Sequence, residues 1–120
     1  MSSQDAAIIT RAYHDAWTHK DFAAAIALLA PALVVEVPVN DYPTAESFAA
    51  ALASFGSMVT RVDLLAAMSN GAEAMLLYDL DAERVGTMRV AEHFTVDDGK
   101  ITRIRQIHDT AGIRAAGLAL

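Results

Sequence analysis

The spacing of apolar residues near the N-terminus predicts a helix with one buried stripe. Ile9, Tyr13 and Trp17 follow one another at intervals of four residues, which places them on the same face of a helix. Alanines lie alongside this stripe at Ala6, Ala12 and Ala16. Ser3 precedes the pattern and is a suitable cap for the start of this helix.

A second helix and a first strand are predicted next. Asp21 is a suitable cap for a helix over residues 22–30. Pro31 ends this helix because proline disfavours the helical conformation of the residue before it. Residues 33–37 are rich in β-branched side chains and predict a short strand, which ends at the proline and polar loop that begin at position 38.

A third helix is predicted over residues 45–55. Thr44 is its expected cap, and Gly56 is its expected C-terminal stop. Its apolar face consists of Phe48, Leu52 and Phe55.

Alternating apolar and polar residues predict four strands in the second half of the chain. They cover residues 59–69, 72–80, 88–96 and 100–109. Asn70-Gly71 joins the first two strands, because this dipeptide readily supplies two positive φ angles for a tight hairpin. Residues 81–84 and Asp97-Asp98-Gly99 predict the remaining turns.

The order of elements indicates an α+β domain. Helices that are separated along the chain from a largely antiparallel sheet cover one face of that sheet. A pocket can form between the two layers. The tail after Asp109 carries Ile113, Leu118 and Leu120, which could lid the pocket, pack on a partner or fray.

Glu92 is the most informative residue for function. It is the only acid in residues 88–96, and period-two alternation places it on the apolar face of its strand. That face carries Met88, Val90, Phe94 and Val96, and the opposite face carries Arg89, Ala91, His93 and Thr95. An ionised carboxylate among apolar neighbours must be paired, hydrogen-bonded or neutralised by a raised pKa, and acids of this kind cluster at functional sites.

Composition and charge narrow the classes of function. The 120 residues fit one domain over residues 1–120 and leave no room for a separate cofactor domain. Hydrophobic residues make up 54% of the chain and charged residues 20%, which is typical of a globular protein. The net charge of -6, with nine Lys and Arg, disfavours nucleic acid and anionic membranes as partners.

Several kinds of chemistry lack support in the sequence. There are no cysteines, and the four histidines form no compact ligand motif, so no metal site is predicted. No glycine-rich phosphate loop or serine nucleophile motif occurs, and no cofactor is expected. Since no apolar run is long enough to span a bilayer, a cytoplasmic location is the default expectation.

Several short motifs, in this order of elements, resemble the nuclear transport factor 2-like superfamily over about residues 5 to 110. They are residues 13–17 (Tyr-His-Asp-Ala-Trp), Asp21-Phe22, residues 34–38 (Val-Val-Glu-Val-Pro), Glu92-His93-Phe94 and residues 98–101 (Asp-Gly-Lys-Ile). The nearest branches are the SnoaL-like polyketide cyclases, the ketosteroid isomerases and the limonene epoxide hydrolases. The resemblance implies a cone of three helices on a strongly curved sheet, with an apolar interior and a homodimer formed through the outer sheet face.

The resemblance also implies roles for individual residues. Tyr13 and Glu92 match the tyrosine and the acid that donate hydrogen bonds to an oxyanion in ketosteroid isomerases. The general-base aspartate of that family aligns with Val37, which cannot move a proton. The arginine and two aspartates of the epoxide hydrolases align with Val90, Glu92 and Gln106, and the catalytic aspartate of the cyclases also aligns with Gln106. No catalytic set of the superfamily is complete in this chain.

His108 shares the strand face of Ile104 and Gln106, which the resemblance implies is the concave face, so it is the best candidate for a replacement base. A His108-Asp109 dyad is disfavoured, because adjacent residues on a strand point to opposite faces. His14 and His19 are expected in solvent.

The walls of the predicted pocket are mostly apolar. They comprise Trp17, Val35, Val37, Phe55, Met58, Met88, Val90, Phe94 and Gln106. Such walls favour a compact apolar ligand with one or two polar atoms.

Two hypotheses follow for function. The first is a small cofactor-independent enzyme that acts on an apolar carbonyl or epoxide compound, with Glu92 as the acid and Tyr13 and His108 as supporting groups. The second is a non-catalytic module for ligand binding or dimerisation, in which Glu92 is a structural carboxylate paired with Tyr13, Gln106 or His108 and in which Tyr13 and Trp17 are ordinary core aromatics.

Overall fold

The computed structural model describes residues 4–119, so the predicted cap Ser3 and the terminal Leu120 lie outside the described residues. The helices are α1 (Gln4–Thr18), α2 (Phe22–Ile26), α3 (Ala45–Gly56) and α4 (Ala111–Ala115). The strands are β1 (Leu29–Glu36), β2 (Val59–Asn70), β3 (Glu73–Ala82), β4 (Gly86–Asp97) and β5 (Lys100–His108). The predicted order of helices and strands is confirmed, and α4 is an addition to it.

The five strands form one mixed sheet in the order β1-β5-β4-β3-β2. Only β1 and β5 pair in parallel, and the other neighbours are antiparallel. The register shifts at Leu65 in β2 and at Thr102 in β5, where one extra residue is inserted into the strand. Such bulges bend strands and increase their twist. Helix α1 packs across β2 to β5 on the concave side. The α+β fold with a strongly curved sheet is therefore confirmed.

Buried and more exposed residues alternate along the long strands β3 and β4, and the buried residues form much of the core. On β3 every second residue is buried, and the inward residues are Ala74, Leu76, Tyr78, Leu80 and Ala82. On β4 the inward residues are Met88, Val90, Glu92, Phe94 and Val96. The predicted orientation of Glu92 is confirmed, and the acid lies in the middle of the buried face.

The second helix is shorter than predicted. It ends at Ile26, and β1 begins at Leu29, so Pro31 lies within a strand and does not end a helix. Leu29 pairs with Ile101, and regular pairing of β1 resumes at Val34, so the proline occupies an irregular stretch where its missing N–H is tolerated. Burial of an apolar segment against β5 has overridden the helical pattern.

The hairpin between β2 and β3 occurs where it is predicted, but its turn is one residue further along. Asn70 pairs with Glu73, so the loop is Gly71-Ala72, and only Gly71 has a positive φ, at 64°. This register keeps the apolar residues of β3 on the concave face. The next turn also begins later than predicted, because β3 continues to Ala82.

The turn between β4 and β5 has two consecutive positive φ angles. Asp98 and Gly99 have φ values of 53° and 75°, as a type I′ hairpin requires. The strand that follows ends at His108, one residue before the predicted end.

The predicted caps of α2 and α3 are confirmed. The Asp21 carboxylate accepts a hydrogen bond from the Ala24 N–H at 3.2 Å, and the Thr44 hydroxyl accepts one from the Ser47 N–H at 3.0 Å. Gly56 ends α3, but it does not adopt the left-handed conformation of a glycine stop. Its lack of a side chain serves close packing instead, because a Cβ there would lie 2.5 Å from the ring of Phe22.

Candidate functional site

A cavity of about 220 Å³ opens between the concave face of the sheet, α1, α3 and the chain after β5. Most of its wall is apolar. The lining side chains that carry polar atoms are Tyr13, Trp17, Asn40, Tyr42, Ser54, Tyr78, Glu92, Gln106 and His108.

Glu92 lies at this cavity with both carboxylate oxygens hydrogen-bonded. The side chain is 1% exposed. The Tyr78 hydroxyl donates to Oε1 at 2.9 Å, and the Gln106 amide Nε2 donates to Oε2 at 2.8 Å. The sheet register produces both contacts, since Gln106 lies directly opposite Glu92 and Tyr78 lies opposite the inward neighbour Val90.

The environment of Glu92 places its ionisation near neutral pH. Burial raises the pKa of its carboxyl from 4.5 to about 7, although the hydrogen bonds from Gln106 and Tyr78 favour the charged form and oppose this increase. A carboxyl with a pKa near the working pH is suited to general acid–base chemistry.

Tyr13 presents a second proton donor to the cavity. Its ring is 1% exposed and packs edge-on against Phe94, with 5.7 Å between ring centroids. Burial, and then the charge of Glu92, hold the pKa of its hydroxyl well above the ordinary value, so the hydroxyl stays protonated. It makes no hydrogen bond to the described side chains, which leaves the O–H free to donate to a ligand.

His108 contributes a ring nitrogen that can accept a proton, in contrast to the Tyr13 hydroxyl, which donates a hydrogen bond. Its Nδ1 lies 3.0 Å from the backbone oxygen of Asp109. Because a carbonyl can only accept, Nδ1 carries the proton, and Nε2 of the neutral ring has the lone pair. The Asp109 carboxylate accepts from the Ala111 N–H at 3.0 Å instead, so the side chains of His108 and Asp109 form no dyad.

Most of the predicted site residues meet at the cavity. They are Tyr13, Trp17, Val37, Phe55, Met58, Met88, Val90, Glu92, Gln106 and His108. The placement of Phe94 and Val35 in the wall is wrong. Phe94 is fully buried behind Tyr13, and Val35 packs against the core outside the lining.

Tyr78 is the main site residue that the sequence interpretation missed. Its position on the apolar face of β3 follows from alternation, but its approach to Glu92 depends on the hairpin register. The wall formed by α3 and the preceding loop is also larger than predicted. It adds Val39, Asn40, Tyr42, Phe48, Ala51, Leu52 and Ser54.

The expectation that His14 is solvated is wrong. The side chain is 3% exposed, and its ring lies 5.0 Å from the ring of Tyr78 and 5.7 Å from that of Trp17. Burial lowers the pKa of His14 from 6.5 to about 4. Its spacing from Thr10 and Trp17 on one helix face is the signal that could have predicted this burial.

The other histidines lie as expected. His19 is exposed at the end of α1. His93 lies on the outer face of β4, where its Nε2 is 2.8 Å from the carboxylate of Glu73.

Residues 111–119, here called the C-terminal strap, pack at the cavity. Ile113 is buried, and Leu118 forms part of the cavity wall. The Asn40 side chain donates to the Leu118 carbonyl at 3.2 Å, and Arg84 donates to the Ala116 carbonyl at 2.7 Å. Of the three roles considered for the tail, the described residues favour packing over the pocket.

We expect Gly112→Ala to loosen the C-terminal strap. An added Cβ would lie 2.5 Å from the backbone oxygen of Val85, which cannot move without disturbing the turn that contains it. The local free energy of opening should fall by about 1–3 kcal/mol, and hydrogen exchange of residues 111–119 should accelerate. Ala115→Ser, at an exposed position of the same helix, is the matched control and should exchange at the wild-type rate. Unchanged protection in Gly112→Ala would contradict this packing.

Within residues 4–119, no group of three or more His, Cys, Asp or Glu side chains is arranged to hold a metal ion. No helix of the described part is long and apolar enough to cross a membrane.

The helices on a curved mixed sheet have the nuclear transport factor 2-like α+β fold. Residues 10–104 match the SnoaL-like domain, and the chain belongs to that family. A crystal structure from Kribbella flavida DSM 17836 is similar over 91% of this chain and 90% of its own, with 33% identity and a TM-score of 0.84.

More distant structures share the fold. A steroid delta-isomerase from Pseudomonas aeruginosa is 19% identical over 94% of this chain and 86% of its own, with a TM-score of 0.77. An LEH-like epoxide hydrolase from M. tuberculosis is 22% identical over 94% of this chain and 89% of its own, with a TM-score of 0.75. No curated protein matches the chain.

Proposed function

We propose that this protein is a cofactor-independent enzyme that moves a proton next to the carbonyl group of a small apolar compound. The observation that carries the proposal is Glu92, a buried carboxyl with a pKa raised to about 7 at the surface of an apolar cavity. The SnoaL-like family and the steroid delta-isomerase and epoxide hydrolase among its structural neighbours support a small organic substrate.

In the proposed reaction the carbonyl oxygen lies against the Tyr13 hydroxyl and the protonated form of Glu92. His108 Nε2 removes a proton from the adjacent carbon, and the C–H electron pair forms a C=C bond as the carbonyl π electrons move to oxygen. Tyr13 and Glu92 stabilise the resulting enolate by hydrogen bonds. His108 then returns its proton to the same carbon or to another carbon of the conjugated system, which completes exchange or isomerisation.

The epoxide alternative has weaker support in the site. Hydrolysis of an epoxide requires a group that activates water. The resemblance to the limonene epoxide hydrolases aligns Gln106 with one of their aspartates, and here the Gln106 amide donates to Glu92. Proton abstraction beside a carbonyl uses only the groups that the cavity presents.

Exchange of α-hydrogen for deuterium tests the proposal without knowledge of the natural substrate. Simple cyclic ketones are incubated in D₂O with and without the protein, and loss of the α-proton signal is followed by NMR. We expect exchange faster than in buffer alone. A ketone that binds without accelerated exchange would contradict catalysis and favour the non-catalytic binding module.

A second proposal concerns the outer sheet face, where an apolar surface favours a homodimer. Met68, Met75 and Ile107 are 72%, 44% and 73% exposed there. Met68 of β2 pairs with Met75 of β3. Ile107 of β5 pairs with Ala91 of β4, which in turn pairs with Leu77 of β3. Large exposed apolar patches of this kind commonly mark protein interfaces.

Ile107→Glu tests the dimer. The new charge should shift the protein from dimer to monomer, because its burial without a partner is costly. Sedimentation velocity measures the distribution. Ile8→Glu, at a 61% exposed position of α1, is the control and should leave the dimer intact. A monomeric wild-type protein would refute the homodimer.

A further inference from the structure

We infer that the cavity selects a monoketone with a single ring and a short substituent, and that the C-terminal strap sets this upper limit on size. The inference rests on the proposed function, because it names the substrate class of the same site. It concerns the side of the cavity next to the turn between β3 and β4, where Gly112 lies against Val85 and Arg84 donates to the Ala116 carbonyl.

Volume is the first argument. Pockets for drug-sized ligands measure about 300–1,000 Å³, and an engineered apolar cavity of about 150 Å³ is known to hold one benzene molecule. The present cavity, of about 220 Å³, lies between these cases. It therefore has room for one ring with a short substituent, and a fused four-ring skeleton would exceed it.

The distribution of polar groups is the second argument. The Tyr13 hydroxyl and the protonated Glu92 carboxyl both line the cavity and lie near each other, so both can donate to one ligand oxygen. Around this point the wall consists of side chains such as Trp17, Met88 and Val90. One acceptor oxygen at the Glu92 end, attached to an apolar body, matches this arrangement.

The strap provides the third argument, because it limits the length of the ligand. Leu118 lines the cavity together with the helix α3 residues Phe48 and Leu52. Its backbone is held in place by Asn40, and buried Ile113 anchors the helix before it. A ligand that extends beyond one ring towards the strap must displace Leu118 or these contacts.

A pair of ketones and a pair of variants test the inference. 4-Isopropylcyclohexanone represents the single-ring class, and 5α-androstan-3-one represents a four-ring ketone with the same functional group. Binding is measured by calorimetry on full-length protein, both wild type and Leu118→Ala. We expect the single-ring ketone to bind the wild type at least tenfold more tightly than the steroid. Leu118→Ala should improve steroid affinity at least tenfold.

Leu65→Ala is the matched control, because Leu65 is half-exposed and lies outside the cavity wall. It should retain the wild-type preference. Equal affinity of the wild type for both ketones, binding of neither, or a Leu118→Ala variant with unchanged preference would each overturn the inference.

Repeating the titrations with Glu92→Gln separates this inference from the proposed function. Size preference should persist in that variant, since the amide occupies the space of the carboxyl. If the wild type shows the size preference but no deuterium exchange, the proposed catalysis is refuted and the size limit stands. If the wild type exchanges both ketones at similar rates, the size limit is refuted and the proposed catalysis stands.

Discussion

Glu92→Gln is expected to lower kcat/KM for α-proton exchange by about 10²–10³-fold, the usual cost of removing one hydrogen-bond donor to a developing oxyanion. Glutamine has nearly the same shape as glutamate, but its amide N–H is a weaker donor to the enolate than the O–H of a carboxylic acid. The Tyr78 hydroxyl can still donate to the amide oxygen, and the Gln106 amide can rotate so that its oxygen accepts from the new N–H. The fold should therefore survive while the chemical step is lost.

Steady-state kinetics at fixed pH measure this effect. The decrease should lie in kcat, with KM for a single-ring ketone nearly unchanged, because the lost interaction forms mainly in the transition state. Glu73→Gln, on the outer face of β3, is the matched control and should retain wild-type kcat. Full activity in Glu92→Gln would show that Glu92 has only a structural role.

The sequence predicts the location of Glu92 because a period-two pattern needs only local information. One acid among four apolar residues on a strand face can point in one direction only, and the structure places it there. Predicting which side chains hydrogen-bond to Glu92 requires more than local information. Tyr78 reaches Glu92 through the register of the β3–β4 hairpin, whose turn begins later than predicted.

The errors of prediction have a common physical origin in tertiary packing. Pro31 reads locally as the end of a helix, yet the apolar residues around it gain more by pairing with β5. His14 reads as a polar residue near a helix end, yet the rings of Trp17 and Tyr78 enclose it. The path of the C-terminal strap depends on Asn40 and Arg84, which are distant in sequence.

The burial of one acid and one base on the same core predicts an unusual dependence of stability on pH. The pKa of Glu92 is raised from 4.5 to about 7, so its contribution to stability is complete below pH 4.5 and is lost as pH rises through 7. The pKa of His14 is lowered from 6.5 to about 4, so its contribution is complete above pH 6.5 and is lost as pH falls through 4. Between pH 4.5 and 6.5 the two effects oppose each other.

When one of the two groups is replaced, the free energy of unfolding should show the pH dependence of the group that remains. In Glu92→Gln, the free energy of unfolding should rise with pH across this window by about 1.4 kcal/mol per pH unit, because the lowered pKa of His14 is no longer opposed by Glu92. In His14→Phe it should fall with the same slope, for a total of about 3 kcal/mol between pH 4.5 and 7. The wild type should be nearly flat. Urea denaturation at half-unit intervals of pH measures all three profiles.

The design of this experiment limits other sources of pH dependence. Arginine partners hold the pKa values of Glu36, Asp79 and Asp81 below their ordinary values of 4.5, 3.8 and 3.8, so these surface carboxyls titrate below the window. His14→Gln serves as a second variant where phenylalanine overpacks the site, and its slope should have the same sign. His19→Gln, at an exposed position of α1, should reproduce the wild-type profile. Parallel profiles for Glu92→Gln and His14→Phe would refute the opposed titrations, because the two variants must diverge by nearly 3 kcal/mol per pH unit if each group carries its full shift.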